Sequence, residues 1–600
     1  MWKPPPVSDK TFEPPRGNSS FSERRKMELA KKRGKKNQRS GMGPGGSAGP
    51  TAQEMNQALW LCNAGLWGEA EKLLIELTGR FPRHPFAWNA LGALLSVTGR
   101  KEAALEPMGR AARLSPMDAV SFYNLGVTQY DLRRLGEAEA SYREAVRIKP
   151  DYVEAHNNLG VVRRDLGRFD EAEASYREAL RIRTDYLEAR SNLLLLLSHR
   201  GDVSPMDYLA EARDFGRILN QGESPQFECW ALDSSPKVLE VGLVSGDFRN
   251  HPVGYFIQNL CQCLSDSQIA LTAFSTNSAE DELTQRIKPW FRQWQSIEAL
   301  NDQQAARLIH EAGIHVLIDL SGHTAQNRLG VFALKPAPVQ ISWLGYWAST
   351  GVSQMDYVLS DPIVNPEKDD SRYSESVWRL PETRFCFSPP EADIPLHSRP
   401  SSKNGWVTFG CFNNLLKVTD EVVGLWSQIL LKKPEAKLFL KANQLAEASM
   451  VKQLQKRFQN QGIEAERLIL EGPSARSDYL RAYDRMDVAL DPFPYTGGTT
   501  SAEALWMGVP VLTLKGVCPL SRQGEGLLHN SGLTEWIAHD QEEYLKKALE
   551  WASRLEDLND LSASLRSKIV TRPFFEGNRF ARHFEDALWA MWSRHLERNG

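Results

Sequence analysis

A repeat of 34 residues between positions 51 and 186 constrains this chain more than any other feature. Pro82, Pro116 and Pro150 lie 34 apart, with Thr184 in the next slot. Gly65, Gly99 and Gly167 hold a second column, with Arg133 in the slot between, and Leu91-Gly92, Leu125-Gly126 and Leu159-Gly160 hold a third. Ala138-x3-Tyr142 recurs as Ala172-x3-Tyr176. Each unit reads as two helices: small Gly and Ala let them approach, large residues fill the gap, and proline ends the second helix. A single unit cannot bury its own apolar face, so neighbours must stack into a solenoid. Four units (51–84, 85–118, 119–152, 153–186) and a capping helix near 187–199 are expected.

The period, the L-G pair, the alanine–aromatic pair and the closing proline resemble the tetratricopeptide repeat. Asn56, Asn124, Asn158 and Asn192 share one position in the units, with Ala90 the exception. Such a column either solvates the inner face of the helices or forms a ladder of side-chain amides that pairs with the backbone of an extended peptide. On the second reading Asn124, Asn158 and Asn192 line a peptide groove.

Six hundred residues exceed one core. A formal charge of −3 with 24% charged residues suggests no polyanion-binding body, so nucleic acid is not an expected partner. The longest run of leucine, 193–197, is far too short to span a membrane, and no apolar leader opens the chain. Seven scattered cysteines without a CxxC pair read as reduced thiols in a cytoplasm, with no zinc site or other metal and no disulfide frame. Residues 1–50 carry twelve Lys/Arg against four Asp/Glu and read as a disordered tail that solubilises the chain or touches anions.

Beyond the repeats, residues 200–235 read as a linker holding one helix, "PMDYLAEARDFGRIL". Short apolar runs then alternate with helical stretches: "KVLEVGLVSGDF", "ALTAFST", "HVLIDLSG", "VQISWLG" and "DYVLSDP" over 236–395, and "WVTFGCF", "AKLFLKA", "ERLILEG", "MDVALD" and "VPVLTLKG" over 396–575. This alternation predicts two doubly wound α/β domains, facing each other across a cleft at the carboxyl ends of both sheets. A helix over 576–600 is expected to pack back across the pair.

Four segments place chemistry at that cleft. In "DPFPYTGGTTSAEALWMGVP" (491–510) a strand ends, a Gly-Gly turn follows, and a helix begins near Thr499. Its free N–H groups and positive dipole end favour a phosphate, Gly497 and Gly498 allow close approach, the Thr499 and Thr500 hydroxyls add donors, and Glu503 can accept from ribose hydroxyls. No GxGxxG or Walker A signature accompanies it. In "CFNNLLKVTD" (411–420) Lys417 sits in a strand-to-helix loop, either as a solvated lysine or as a cation facing the cleft. In "SGDFRNHPVGYF" (245–256) Asp247 and His251 follow the first strand, and histidine titrates near neutrality. In "IDLSGHTAQNRLG" Asp319 and His323 stand at another strand end.

In this order, "GDFRNHPVGYF", "GHTAQNRLG", "KPAPVQISWLGY", "FNNLLKVTD" and "DPFPYTGGTTSAEALWMGVPVLTL" behind tandem repeats resemble the family 41 glycosyltransferases. These include protein O-linked N-acetylglucosamine transferases and the plant Spindly-type O-fucosyltransferases. The resemblance covers about 51–595 and implies a solenoid followed by two facing Rossmann-like domains of the GT-B type. It implies a metal-independent, inverting enzyme without a cofactor, which moves a sugar from a nucleotide-sugar co-substrate to Ser/Thr hydroxyls of proteins held by the repeats. By position, it makes His251 the base or acceptor-positioning group and Lys417 the cation that meets the departing diphosphate. It places Asn414 beside the nucleotide, Thr499 and Thr500 on the diphosphate, Glu503 on the ribose, and Arg476 and Tyr479 beside the base. The animal N-acetylglucosamine enzymes have histidine where Gly498 stands, and Lys and His where Arg476 and Tyr479 stand. These departures surround the donor, so UDP-GlcNAc is the first expectation, with GDP-fucose and an inactive repeat scaffold as alternatives.

Overall fold

The computed structural model describes residues 49–221, 227–390 and 394–599. The basic tail expected over 1–50 lies outside the described residues but for its last two positions. The chain divides into two compact units, Met1–Arg163 and Arg164–Gly600.

In the first unit the repeats fold as helices α1 (Ala52–Asn63), α2 (Trp67–Arg80), α3 (Pro85–Val97), α4 (Lys101–Leu114), α5 (Ala119–Asp131), α6 (Leu135–Ile148) and α7 (Val153–Asp165). The L-G column packs as its residue sizes require. A Cβ on Gly126 would lie 2.8 Å from the Tyr142 ring, and one on Gly92 2.4 Å from the Met108 side chain. Gly65, Gly99 and Gly167 take positive φ at the turns, and Arg133 takes φ 63° in the same slot. The sequence exception is therefore a non-glycine residue held in the left-handed region, at a modest cost in strain.

The asparagine column is unevenly exposed in this unit, with Asn56 at the surface and Asn158 half-buried. Asn124 is buried, and the Asn158 amide donates to the hydroxyls of Tyr123 at 3.2 Å and Tyr142 at 3.4 Å. The Asn158 amide thus joins neighbouring helices of the repeats. Its partners are the hydroxyls of tyrosines that also fill the core.

The second unit opens with α8 (Phe169–Ile182), α9 (Leu187–His199) and α10 (Pro205–Gln221). The last lies in the segment expected as a linker, yet it is packed. Tyr208 Oη sits 2.6 Å from Tyr346 Oη and donates to the Ser349 carbonyl. Gly216 approaches so closely that a Cβ there would meet the Gly351 carbonyl oxygen at 1.9 Å. The apolar stripe Tyr208, Leu209, Ala212 and Phe215 is what this contact buries.

Two parallel sheets follow. The first has order β3-β2-β1-β4-β5-β6-β7, with β1 (Leu239–Ser245), β2 (Ile269–Ser275), β3 (Gln293–Ser296), β4 (Val316–Asp319), β5 (Val339–Ser342), β6 (Tyr357–Ser360) and β7 (Ser376–Arg379). The second has order β10-β9-β8-β11-β12-β13, with β8 (Thr408–Cys411), β9 (Lys437–Lys441), β10 (Leu468–Glu471), β11 (Val488–Leu490), β12 (Val511–Leu514) and β13 (Ile537–Ala538). Central strands such as β2 and β4 are buried on both faces, as a sheet covered on both sides demands. Both orders reverse beside the first strand of the sheet, between β1 and β4 and between β8 and β11. That reversal opens a crevice at the strands' carboxyl ends.

Aromatic residues join the lobes. Phe385 and Phe387 of the first contact Phe574 and Phe575, and the Phe387 N–H donates to the Phe574 carbonyl. The terminal helix α20 (Gly577–Asn599) was expected to lie across both lobes but covers the first, with Phe584 against Trp343 and Trp592 against His315.

Candidate active site

Four loops that leave strands at the two switch points surround a cavity of about 520 Å³. His251, Asn414, Lys417, Gly498, Thr499 and Thr500 all line it. The first lobe contributes His251 after β1, and the second contributes the loops after β8 and β11.

Helix α16 (Thr499–Trp506) begins at Gly498, and no side chain caps it. Its first-turn N–H groups face the cavity with the positive end of the helix dipole behind them. Gly497 is required by packing, not by a ligand's approach. A Cβ there would meet Ser501 Oγ at 2.1 Å and Asp491 Oδ1 at 2.8 Å. The buried Asp491 carboxylate holds the turn, accepting from the Gly497 N–H at 2.6 Å and the Thr513 hydroxyl at 2.7 Å. Burial pushes that carboxyl up to about 6.

Lys417 Nζ donates to the Thr496 carbonyl at 2.9 Å and to Asn413 Oδ1 at 3.1 Å, and lies 3.8 Å from the Tyr495 ring centre. Asn413 Oδ1 also accepts from the Thr500 hydroxyl at 2.9 Å. Lysine and helix tip are thus fixed to one amide. Lys417 makes no ion pair among the described residues, and burial brings its ammonium down to about 8 against the opposing pull of Asp491. Asn414, singled out in the sequence, is exposed; it accepts from the Leu416 N–H and from Gln444. Its neighbour Asn413 turns inward because consecutive side chains leave a strand end on opposite sides.

His251 caps helix α11 (Pro252–Cys263). Its Nδ1 lies 3.4 Å from the Val253 N–H and 3.4 Å from Asp247 Oδ2, which leaves Nε2 for the cavity. Burial lowers its pKa below the usual histidine value, with Asp247 opposing, so the ring is neutral at pH 7.

Arg476, Tyr479 and Glu503 gather beside the cavity in a cluster of their own. Glu503 is buried, and Arg476 Nη2 meets its Oε1 at 2.5 Å. The guanidinium also lies 4.6 Å from the Tyr255 ring of the first lobe and 5.5 Å from that of Tyr479. A ribose reaching Glu503 must share it with this arginine.

Asp319 and His323 stand outside the cavity. The Asp319 carboxylate accepts from the N–H groups of Ser321 and Gly322, capping its own turn. Both His323 nitrogens are engaged, Nδ1 with the Ser191 hydroxyl at 2.9 Å and Nε2 with the Thr350 carbonyl at 3.0 Å. Its ring, brought down to about 4 by burial, fixes α9 to the first lobe as a neutral group.

Several lining residues escaped the sequence reading: His199, Trp347, Arg384, Asn413, Tyr495 and Gln523. The His199 ring packs 5.0 Å from Trp347 and 4.8 Å from Tyr495, and burial takes it down to about 3. No local pattern announces such residues, which converge from α9 and both lobes. Among the described residues no helix is long and apolar enough to cross a membrane.

Comparison with known proteins follows this geometry. The family model described as Glycosyl transferase family 41 matches residues 223–388 and 393–584, and a tetratricopeptide repeat model matches 57–119 and 123–186. A tomato (Solanum lycopersicum) protein named "Probable UDP-N-acetylglucosamine--peptide N-acetylglucosaminyltransferase SPINDLY" is 33% identical over 398 residues, 65% of this chain and 43% of its own length. The Arabidopsis thaliana relative named SEC is 29% identical over 373 residues, 60% of this chain and 38% of its own length. The chain thus spans about two fifths of the length of these plant relatives. A mutant O-GlcNAc transferase of Thermobaculum terrenum superposes with a TM-score of 0.79 at 33% identity, covering 86% of this chain and 98% of that one. With the family model matching more than half of its length, the chain belongs to glycosyl transferase family 41.

Proposed function

We propose that this chain transfers a sugar from a nucleotide diphosphate donor to Ser or Thr hydroxyls of proteins, with inversion at the anomeric carbon and without a catalytic metal. N-acetylglucosamine from UDP-GlcNAc is the first donor to test, because the relatives carry that activity in their names. One observation carries the reading. An ammonium without an ion pair lies beside an uncapped helix N-terminus, across one cavity from a neutral imidazole.

The chemistry follows from these groups. The acceptor hydroxyl attacks the anomeric carbon, the bond to the phosphate oxygen breaks, and its electron pair leaves on the diphosphate. Lys417 and the first N–H groups of α16 meet that growing charge, and each preorganised donor of this kind is worth ~3 kcal/mol. The hydroxyl proton passes to His251 Nε2 in the tautomer whose Nδ1–H turns toward Asp247 Oδ2, at the cost of the Nδ1 cap on the Val253 N–H. Such a base contributes roughly 10²–10⁴-fold. The repeats are the surface for protein acceptors.

The test is a panel of UDP-GlcNAc, GDP-fucose and related donors offered with a Ser/Thr-rich protein acceptor, following release of nucleoside diphosphate. Turnover of one donor with sugar appearing on Ser or Thr is expected. Absence of release from every donor would overturn the reading.

A further inference from the structure

Arg384 follows β7 and is 4% exposed, with its guanidinium lining the cavity from the first lobe. Among the described residues its one side-chain hydrogen bond runs from Nη2 to the neutral Gln523 Oε1 at 3.0 Å, and Nε has no hydrogen-bond partner. The Arg384 backbone, by contrast, is fully used: its N–H donates to Asp361 Oδ2, and its carbonyl accepts from Trp343 Nε1. The Asp361 carboxylate acts on the guanidinium through space but makes no contact ion pair with it. It is taken up by the N–H groups of Ile363, Val364 and Arg384. The acid in the cavity wall, Asp165, is already held by Arg164 Nη2 at 2.9 Å.

A buried guanidinium without a contact ion pair is expensive, and proteins rarely keep one unless something compensates. What sits opposite is the diphosphate-facing helix tip: Gln523 Nε2 lies 3.0 Å from where a Cβ on Gly498 would be. Arg384 and Lys417 both line the cavity, so two cations from different lobes, neither with a contact ion pair among the described residues, converge on one space. The planar fork of arginine suits two phosphate oxygens.

We propose that Arg384 is a second cation for the donor's diphosphate, contacting the sugar-side phosphate from the first lobe so that donor binding ties the lobes together. This rests on the donor-site reading above.

Two linked measurements on the whole chain test it. Without ligand, R384M melts at or above the wild-type temperature, because an unpaired buried charge has been removed. With UDP or GDP, the same variant binds at least tenfold more weakly by calorimetry. Uridine and guanosine bind it as they bind the wild type, and R384K falls between. Diphosphate affinity within twofold of wild type in R384M overturns the proposal. So does a lowered melting temperature with equal losses for diphosphate and nucleoside, which marks a structural strut. If neither nucleotide nor inorganic pyrophosphate stabilises even the wild type, the donor-site reading itself fails, and this inference with it.

Discussion

Replacing Asp491 with Asn moves the alkaline limit of activity and leaves the acid side in place. On the proposed mechanism Lys417 must be protonated to meet the leaving diphosphate, and burial brings its ammonium down to about 8. Activity is therefore full below that value and is lost as pH rises through it. The other titratable groups around the ammonium do not compete for the assignment. The Cys411 thiol is pushed up to about 11 and the Tyr495 hydroxyl to about 12, while His199 is brought down to about 3. Asp491 is the carboxylate whose charge holds the ammonium up. At an effective dielectric of ~20, a unit charge in the neighbourhood is worth ~2 kcal/mol, and ~1.4 kcal/mol is one pH unit. The Asn oxygen still accepts from the Gly497 N–H and the Ser501 hydroxyl, so the turn keeps its support.

The pH profile of kcat/KM, which reports the free enzyme, should show its basic limb falling from near pH 8 by roughly one unit in D491N. Activity at pH 6 stays within a few-fold of wild type. A loss of equal size at every pH would refute the argument and make Asp491 a purely structural support. An unmoved limb would show that the limb does not belong to Lys417.

Other outcomes follow from the same geometry. K417A lowers kcat by ~10²–10³, more than H251A does; near-normal kcat in K417A removes the leaving-group role. D247N weakens the hold on the His251 tautomer, so kcat falls roughly tenfold while donor affinity measured by calorimetry stays unchanged. G216A forces a methyl against the Gly351 carbonyl and destabilises the second unit by ~1–3 kcal/mol, read as a lower melting temperature. An unchanged melting temperature would mean that α10 is not seated on the first lobe.

What the sequence shows depends on how local the cause is. The repeat columns, the central strands and the Gly-Gly-Thr-Thr helix start are written in neighbouring residues and were legible. Edge strands β3 and β7 were not, because half-exposed strands such as Gln293–Ser296 carry no apolar run. Helix α10 looked like a linker because its partner surface, around Tyr346 and Gly351, comes 130 or more residues later. Within the site, His251, Lys417 and Thr499-Thr500 stand out on motifs, whereas nothing local marks Asn413, which lines the cavity beside Asn414. Arg384 has no motif at all. What marks it is a buried guanidinium in the cavity wall without a contact ion pair among the described residues, and only packing reveals that. His323 was misread for the converse reason: strand-end histidines suggest chemistry, but here both nitrogens serve as mortar between α9 and the first lobe.

The central claim, that Lys417 and the tip of α16 absorb the charge shed by the sugar, is tested most directly by a structure of the chain with a bound nucleoside diphosphate. The account predicts phosphate oxygens at hydrogen-bond distance, about 3 Å, from Lys417 Nζ and from the N–H groups of Thr499 or Thr500. A diphosphate lodged away from both would contradict it.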